Sequence, residues 1–167
     1  MGSFAAFWET TPENVSMSAQ GTTVYSDFFR HTLDDKNRIT IPSAWRYVHS
    51  ENDEFLAIPQ TDGSNGYIAV LPPDAVARIR EKAKQIPISN LAGRQALMRF
   101  FSTSHTCTFD KQGRVALTDA HRAHAKISKD VILAGAGDNF VIYSPELWEQ
   151  VNKPRADDTA ILAQLGI

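Results

Sequence analysis

The sequence predicts an α+β protein assembled from two copies of one structural unit, and three observations carry that prediction. First, Leu33 to Arg46 (Leu-Asp-Asp-Lys-Asn-Arg-Ile-Thr-Ile-Pro-Ser-Ala-Trp-Arg) recurs at Phe109 to Arg122 (Phe-Asp-Lys-Gln-Gly-Arg-Val-Ala-Leu-Thr-Asp-Ala-His-Arg). Asp34 and Asp110, Asn37 and Gly113, Arg38 and Arg114, and Arg46 and Arg122 each stand 76 positions apart. A repeat inside so short a chain requires a fold that uses both copies. Second, each copy has the same order of signals: a turn, an alternating apolar strand and a short helix. Third, two longer segments of helical spacing, Asp74 to Gln85 and Asn90 to Ser102, lie between the copies.

Within each copy the turn comes from side-chain chemistry. Asp34 or Asp110 can accept a hydrogen bond from a backbone N–H two residues on, and the fourth position then needs a positive φ, which Gly113 supplies freely and Asn37 tolerates better than most residues. Each is therefore expected to be a tight turn between two strands. After it, Arg38 or Arg114 opens an alternating strand (Ile39, Ile41; Val115, Leu117), and a short helix follows, entered through Pro42-Ser43 or Thr118-Asp119.

Taken in order, residues 1–27 are rich in Ser, Thr and Gly without a sustained period and read as a disordered or loosely held extension. Residues 28–86 form the first unit: strand Phe28 to Thr32, the turn, a helix from Ser43, a hairpin of Phe55 to Pro59 with Gly66 to Leu71, and a helix started by Pro72-Pro73. Residues 87–103 are a helical connector. Residues 104–150 repeat the plan, with strands His105 to Phe109, Arg114 to Leu117, Val131 to Leu133 and Phe140 to Tyr143, and a helix opened by Ser144-Pro145. Late in this unit the offset is expected to shift to 73 (Tyr67 to Phe140, Pro72 to Pro145). In the tail, 151–167, Asp157 to Leu165 can form an amphipathic helix that docks on a neighbour or frays.

Bulk properties narrow the function. Apolar content of 43% with 22% charged residues is that of a soluble globular protein. A unit of roughly 50 to 60 residues is marginal alone, which favours two copies packed together and further assembly. A net charge of −2 excludes a protein coated in positive charge, so any nucleic-acid contact is confined to a local patch. Cys107 is the only cysteine, leaving no internal disulfide. No apolar run approaches the ~20 residues that span a bilayer, and the first residues lack a basic n-region. The expectation is a cytoplasmic protein without a membrane partner.

Catalysis finds no footing. There is no Gly-x-Ser-x-Gly elbow and no His-Glu-x-x-His, and no enzyme, metal or cofactor is expected. His105, Cys107, His121 and His124 fit no common zinc spacing. Gly135-Ala136-Gly137 lacks a following Gly-Lys-Ser/Thr and reads as a hairpin turn. Trp45, Tyr143 and Trp148 are expected in cores or interfaces.

Asp34-Asp35-Lys36-Asn37-Arg38 with Pro42 and Arg46, and Asp110-Lys111-Gln112-Gly113-Arg114 with Arg122, resemble the paired Asp-x-x-Gly-Arg signatures of the MraZ family, in the SpoVT/AbrB-like swapped-hairpin group. The resemblance covers about residues 28–150. Two positions depart from it: Asn37 stands where the family has Gly, and Thr118 where a Pro follows the second strand. The resemblance implies two tandem AbrB-like swapped-hairpin units forming one pseudo-twofold β-barrel with flanking helices. It also implies a ring-shaped homo-oligomer and a nucleoid-associated regulator that binds short G-rich direct repeats in the promoter of the division and cell-wall gene cluster.

The residues offer chemistry for that role. A two-stranded ribbon fits the major groove, where an arginine can donate two hydrogen bonds to guanine O6 and N7. Arg38 and Arg114 are then the readers, Lys36 and Lys111 the phosphate anchors, and Arg30, one strand earlier, a helper. The rival reading keeps Arg38 and Arg114 structural, paired with Asp34 and Asp110 to hold the turns. It makes the protein a ring-forming assembly or interaction module without sequence-specific DNA binding. Arg46 and Arg122, in the short helices, are assigned to intramolecular or subunit pairs.

Overall fold

The structure, a computed structural model, describes residues 24–167. The expected loose extension falls outside the described residues as far as position 23. From there the chain is already anchored: Tyr25 is buried and exchanges backbone hydrogen bonds of 2.8 and 3.0 Å with Gly137, and its hydroxyl lies 2.6 Å from His49 Nε2. Gly135 permits this approach, because a Cβ there would collide with the Tyr25 backbone.

In chain order the elements are β1 (Phe28–Thr32), β2 (Arg38–Thr40), α1 (Ser43–Arg46), β3 (Glu54–Asp62), β4 (Asn65–Leu71), α2 (Pro73–Lys84), α3 (Leu91–Thr103), β5 (His105–Thr108), β6 (Arg114–Ala116), α4 (Asp119–His124), β7 (Asp130–Gly135), β8 (Phe140–Tyr143), α5 (Pro145–Val151) and α6 (Asp158–Gln164). They build an antiparallel sheet of order β1-β7-β8-β4-β3-β5 and a separate ribbon, β2-β6. The order is unchanged when the halves trade places. Register obeys the repeat as well: Phe29↔Leu133 and Thr32↔Asp130 become His105↔Ala57 and Thr108↔Glu54 on a shift of 76.

Two expectations need correcting. The arms of each turn, expected as a hairpin, do not pair with one another; β1 pairs β7 and β2 pairs β6, so the halves interlock. The second correction concerns the late offset. At the centre of the sheet Ile68 faces Ile142 and Val70 faces Phe140, which equates Ile68 with Phe140 and sets the shift at 72, not 73. All four side chains are buried, and a slip of one residue would turn the half-exposed Tyr67 inward. Pro73, not Pro72, thus matches Pro145, and each lies in the first turn of its helix. The missing residues come from the hairpin: β3 and β4 extend to Asp62↔Asn65 around a two-residue turn with φ of 60° at Gly63, whereas β7 and β8 stop pairing at Gly135↔Phe140.

Why β3 and β7 read as unbroken apolar runs, Phe55 to Ile58 and Val131 to Ala134, follows from cover on both faces. The main core holds Trp45, Phe55, Ile68, Val115, Leu133 and Phe140. On the opposite face Leu56, Ile58 and Val76 make a smaller cluster under α2 and α3, while α5 packs on β7 and β8. Pro59 sits within β3 without breaking a ladder, because β5 pairs only as far as Ala57. The helix after the second turn is also better started than the first: Thr118 accepts a hydrogen bond from the His121 N–H (3.1 Å), a cap that Pro42 cannot give α1.

Candidate nucleic-acid interface

Each turn is tied by its aspartate. Asp34 Oδ1 accepts from the Lys36 and Arg38 N–H groups at 2.9 Å each, and Oδ2 accepts from Arg38 Nε at 2.7 Å. Asp110 does the same with the N–H groups of Gln112 and Arg114, both 2.9 Å, and with Arg114 Nε at 2.8 Å. The fourth residue is left-handed in both, with φ of 58° at Asn37 and 73° at Gly113. The asparagine therefore holds the conformation that glycine holds in the other copy.

Interlocking of the halves brings the two turns together. The Ile41 N–H bonds the Gly113 carbonyl (2.9 Å) and the Leu117 N–H the Asn37 carbonyl (3.0 Å). Arg38 Nη1 then lies 3.9 Å from Asp110 Oδ2, and Arg114 Nη1 lies 3.7 Å from Asp34 Oδ2. Two cations and two anions thus form one closed cluster across the β2–β6 ribbon, with each side chain a quarter to a third exposed. At 3.7 to 3.9 Å the crossed contacts are charge proximity and not hydrogen bonds, so only the Nε side of each guanidinium is firmly engaged. The end-on Nη1/Nη2 edge remains able to donate to a further acceptor pair.

Burial raises the Asp34 and Asp110 carboxyls, but hydrogen bonds from the neighbouring N–H groups and guanidinium, together with its charge, outweigh that and hold both below their ordinary 3.8. Burial lowers His121; a bond to the Thr103 carbonyl opposes it, and the nearby His105 and His124 add to it. A depressed folded pKa means stability that is present above the unfolded value and lost as pH falls through the folded one. The urea midpoint should therefore decline in two stages, below the ordinary 6.5 of His121 and again below 3.8. Asp34→Asn with Asp110→Asn should flatten only the second stage.

Lys36 and Lys111 are exposed beside the cluster and form no ion pair among the described residues. Arg30 is not brought to it: it lies in β1 and pairs with Glu149 of α5 at 3.2 Å, both largely exposed. Arg46 makes an intramolecular contact, as expected of it, with a partner the sequence did not name. It crosses from α1 to the opposite turn, where Nη1 donates to the Gln112 carbonyl (3.1 Å) and the side chain lies over Gly113, so that a Cβ there would collide with it. Arg122 instead pairs with its own Asp119. The glycine at 113 opposite Asn37 was the available signal. Gly113→Ala should cost more than Gly63→Ala in urea denaturation: both sites have positive φ, worth about 1–2 kcal/mol, but only Gly113 must also displace Arg46.

His121 and His124 bond backbone carbonyls, and Cys107 is buried. His121 Nε2 faces the Thr103 carbonyl at 3.2 Å and His124 Nε2 the Gln60 carbonyl at 2.7 Å, while burial pushes the Cys107 thiol up to about 12. No group of three or more metal-ligating side chains that could hold an ion occurs among the described residues, and no helix there is long and apolar enough to cross a membrane.

Known proteins are similar to this sequence along most of its length. It is 34% identical to the transcriptional regulator MraZ of Clostridium acetobutylicum over 142 residues, which is 83% of this chain and 96% of that protein. The chain belongs to the MraZ family. Further MraZ regulators are similar, that of Heliobacterium modesticaldum at 34% over 77% of this chain and 86% of its own, and that of Carboxydothermus hydrogenoformans at 35% over 72% and 80%. The family described as "MraZ protein, putative antitoxin-like" matches residues 100–163, which include the second MraZ turn. These MraZ relatives are named for transcriptional regulation and not for a catalysed reaction.

Proposed function

We propose that this transcriptional regulator reads short G-rich direct repeats in its own promoter, ahead of the division and cell-wall gene cluster, as a cytoplasmic, nucleoid-associated ring. On this reading two tandem swapped-hairpin units form one pseudo-twofold barrel, and the ribbon carrying both turns enters the major groove. One observation carries it: Asp34 and Asp110 grip the Nε side of Arg38 and Arg114, leaving two end-on guanidinium edges at one place on the surface. An arginine aimed by a carboxylate loses less freedom on meeting guanine O6 and N7 than an unsupported one. Lys36 and Lys111, exposed on the same turns, supply phosphate contacts.

One protomer offers few cations on a chain of net charge −2, so affinity comes from repetition. Protomers facing successive repeats make each later contact intramolecular, which raises avidity by orders of magnitude. The test is a mobility shift on the upstream region against a fragment with the repeats scrambled: preference for the native repeats is expected, and equal binding to both would overturn the reading. A second reading, an assembly module without sequence-specific binding, is favoured by the same ion pairs, since a closed cluster of two Asp and two Arg is sufficient to hold the turns. It predicts that arginine variants lose thermal stability and nothing else.

A further inference from the structure

The two turns are built alike but held unlike. On a shift of 76, Arg46 answers Arg122, Gln112 answers Lys36 and Gly113 answers Asn37. Only Arg46 of the two helix arginines crosses to the opposite turn. It donates through Nη1 to the Gln112 carbonyl at 3.1 Å and lies over Gly113, which is buried. Arg122 turns back to Asp119 in its own helix, and Asn37 in the first turn stays half-exposed.

Three positions account for the difference. Ser43 answers Asp119, so α1 offers Arg46 no carboxylate of its own. Gly113 leaves room for a guanidinium that a Cβ would displace, whereas Asn37 carries such a Cβ at the matching place with the same left-handed backbone. Trp45, the residue before Arg46, is 2% exposed and donates its indole N–H to the Ser26 carbonyl, so the arginine reaches out from a fixed base.

The consequence falls on Arg114. Arg46 holds the Gln112 carbonyl and the Ile41 N–H holds the Gly113 carbonyl (2.9 Å), so both peptide groups leading into Arg114 are bonded to the first half. In the first turn the Leu117 N–H holds the Asn37 carbonyl (3.0 Å), but Arg122, spent on Asp119, leaves the Lys36 carbonyl without the matching bond.

We propose that Arg46 is a positioning residue for the guanine reader Arg114, which makes the second turn the more discriminating of the two. This rests on the proposed reading of G-rich repeats, and Arg46 itself touches no base. A reader whose backbone and Nε are both fixed beforehand gives up less freedom on meeting a guanine edge. The gain therefore falls on preference for the repeats and not on general attraction to DNA.

The test is fluorescence anisotropy of the full chain on the native repeats and on a scrambled fragment, the ratio of affinities being the preference. Arg46→Ala should lower that ratio by about 2- to 10-fold per protomer, the worth of ordering one rotamer-rich side chain. Affinity for the scrambled fragment and the salt slope should not change. In an Arg114→Ala background the substitution should cost nothing further, whereas beside Arg38→Ala it should cost as much as in the parent. Arg114→Ala alone should cost more than Arg38→Ala alone. Arg46→Met keeps an unbranched stem over Gly113 without a donor and should repeat the pattern, which separates the lost hydrogen bond from lost packing. Equal weakening on both fragments, with a salt slope lower by about 0.9, would make Arg46 a phosphate contact. A lowered melting point with preference intact would make it structural, and a loss that adds as fully to Arg114→Ala as to Arg38→Ala would detach it from Arg114. Each of these overturns the proposal. A parent with no preference removes the DNA reading and this inference with it; a parent that prefers its repeats while both Arg46 variants match it removes this inference alone.

Discussion

Replacing both braced arginines, Arg38→Ala with Arg114→Ala, should abolish detectable promoter binding while the protein stays assembled and folded. Each bidentate arginine–guanine contact is worth about 1–3 kcal/mol of discrimination, and every 1.4 kcal/mol is tenfold. Loss of two contacts in one protomer thus lowers affinity by roughly 30-fold at the least, and the loss multiplies over the protomers that share a duplex. Fluorescence anisotropy on the native repeats measures it. Binding within threefold of the parent would sink the assignment. Because removing the cations leaves Asp34 and Asp110 facing each other, the melting point must be read alongside. The lysine versions give an independent arm: Lys keeps the charge but not the planar fork, so Arg38→Lys/Arg114→Lys should hold the fold and lose preference for the repeats. Lys36→Ala/Lys111→Ala should behave differently again, weakening all DNA alike and flattening the salt dependence by about 0.9 in log–log slope per lysine.

What the sequence disclosed and what it hid follow a physical division. The Asp–x–x–Gly/Asn–Arg turns were legible because their hydrogen bonds are local: Asp34 and Asp110 bond N–H groups two and four residues on, and letters four apart carry that information. Helices α2, α3 and α5 were legible from their period and from Pro73, Asn90 and Ser144 at their starts. Pairing across the halves is another matter. Nothing local distinguishes β2 folding back on β1 from β2 joining β6, since an alternating strand suits either partner; the choice is made by burying Ile39 and Val115 together in the core. The offset of 72 was hidden because Pro72 and Pro73 stand side by side, and only the centre of the sheet decides which of them answers Pro145. The partner of Arg46 was hidden because the Gln112 carbonyl belongs to the backbone and has no letter of its own.

The repeat also conceals how unequal its copies are, and the largest stability effect expected in the molecule follows from that inequality. A shift of 76 carries Trp45 onto His121, and Phe29 onto His105. Both ring pairs are edge-to-face, Phe29–Trp45 at 5.2 Å between centroids and His105–His121 at 6.2 Å. In the first half the indole is 2% exposed, packs on Tyr25 and on Phe140 from the other half, and spends its N–H on the Ser26 carbonyl (3.1 Å). His121 sits in the matching place with its Nδ1 buried and unpartnered. The weight of the interlocked core therefore rests on Trp45. Trp45→Ala should cost about 3–5 kcal/mol, a large share of the roughly 5–15 kcal/mol that holds a domain folded. Because Phe140 belongs to β8, the loss should reach the second half too: far-ultraviolet circular dichroism and an added fluorescent label in β7 or β8 should show one coincident urea transition at a lower midpoint. Two separated transitions, with β7 and β8 melting at the parent's midpoint, would mean that the halves are independent and that the interlocked sheet does not bind them into one cooperative unit.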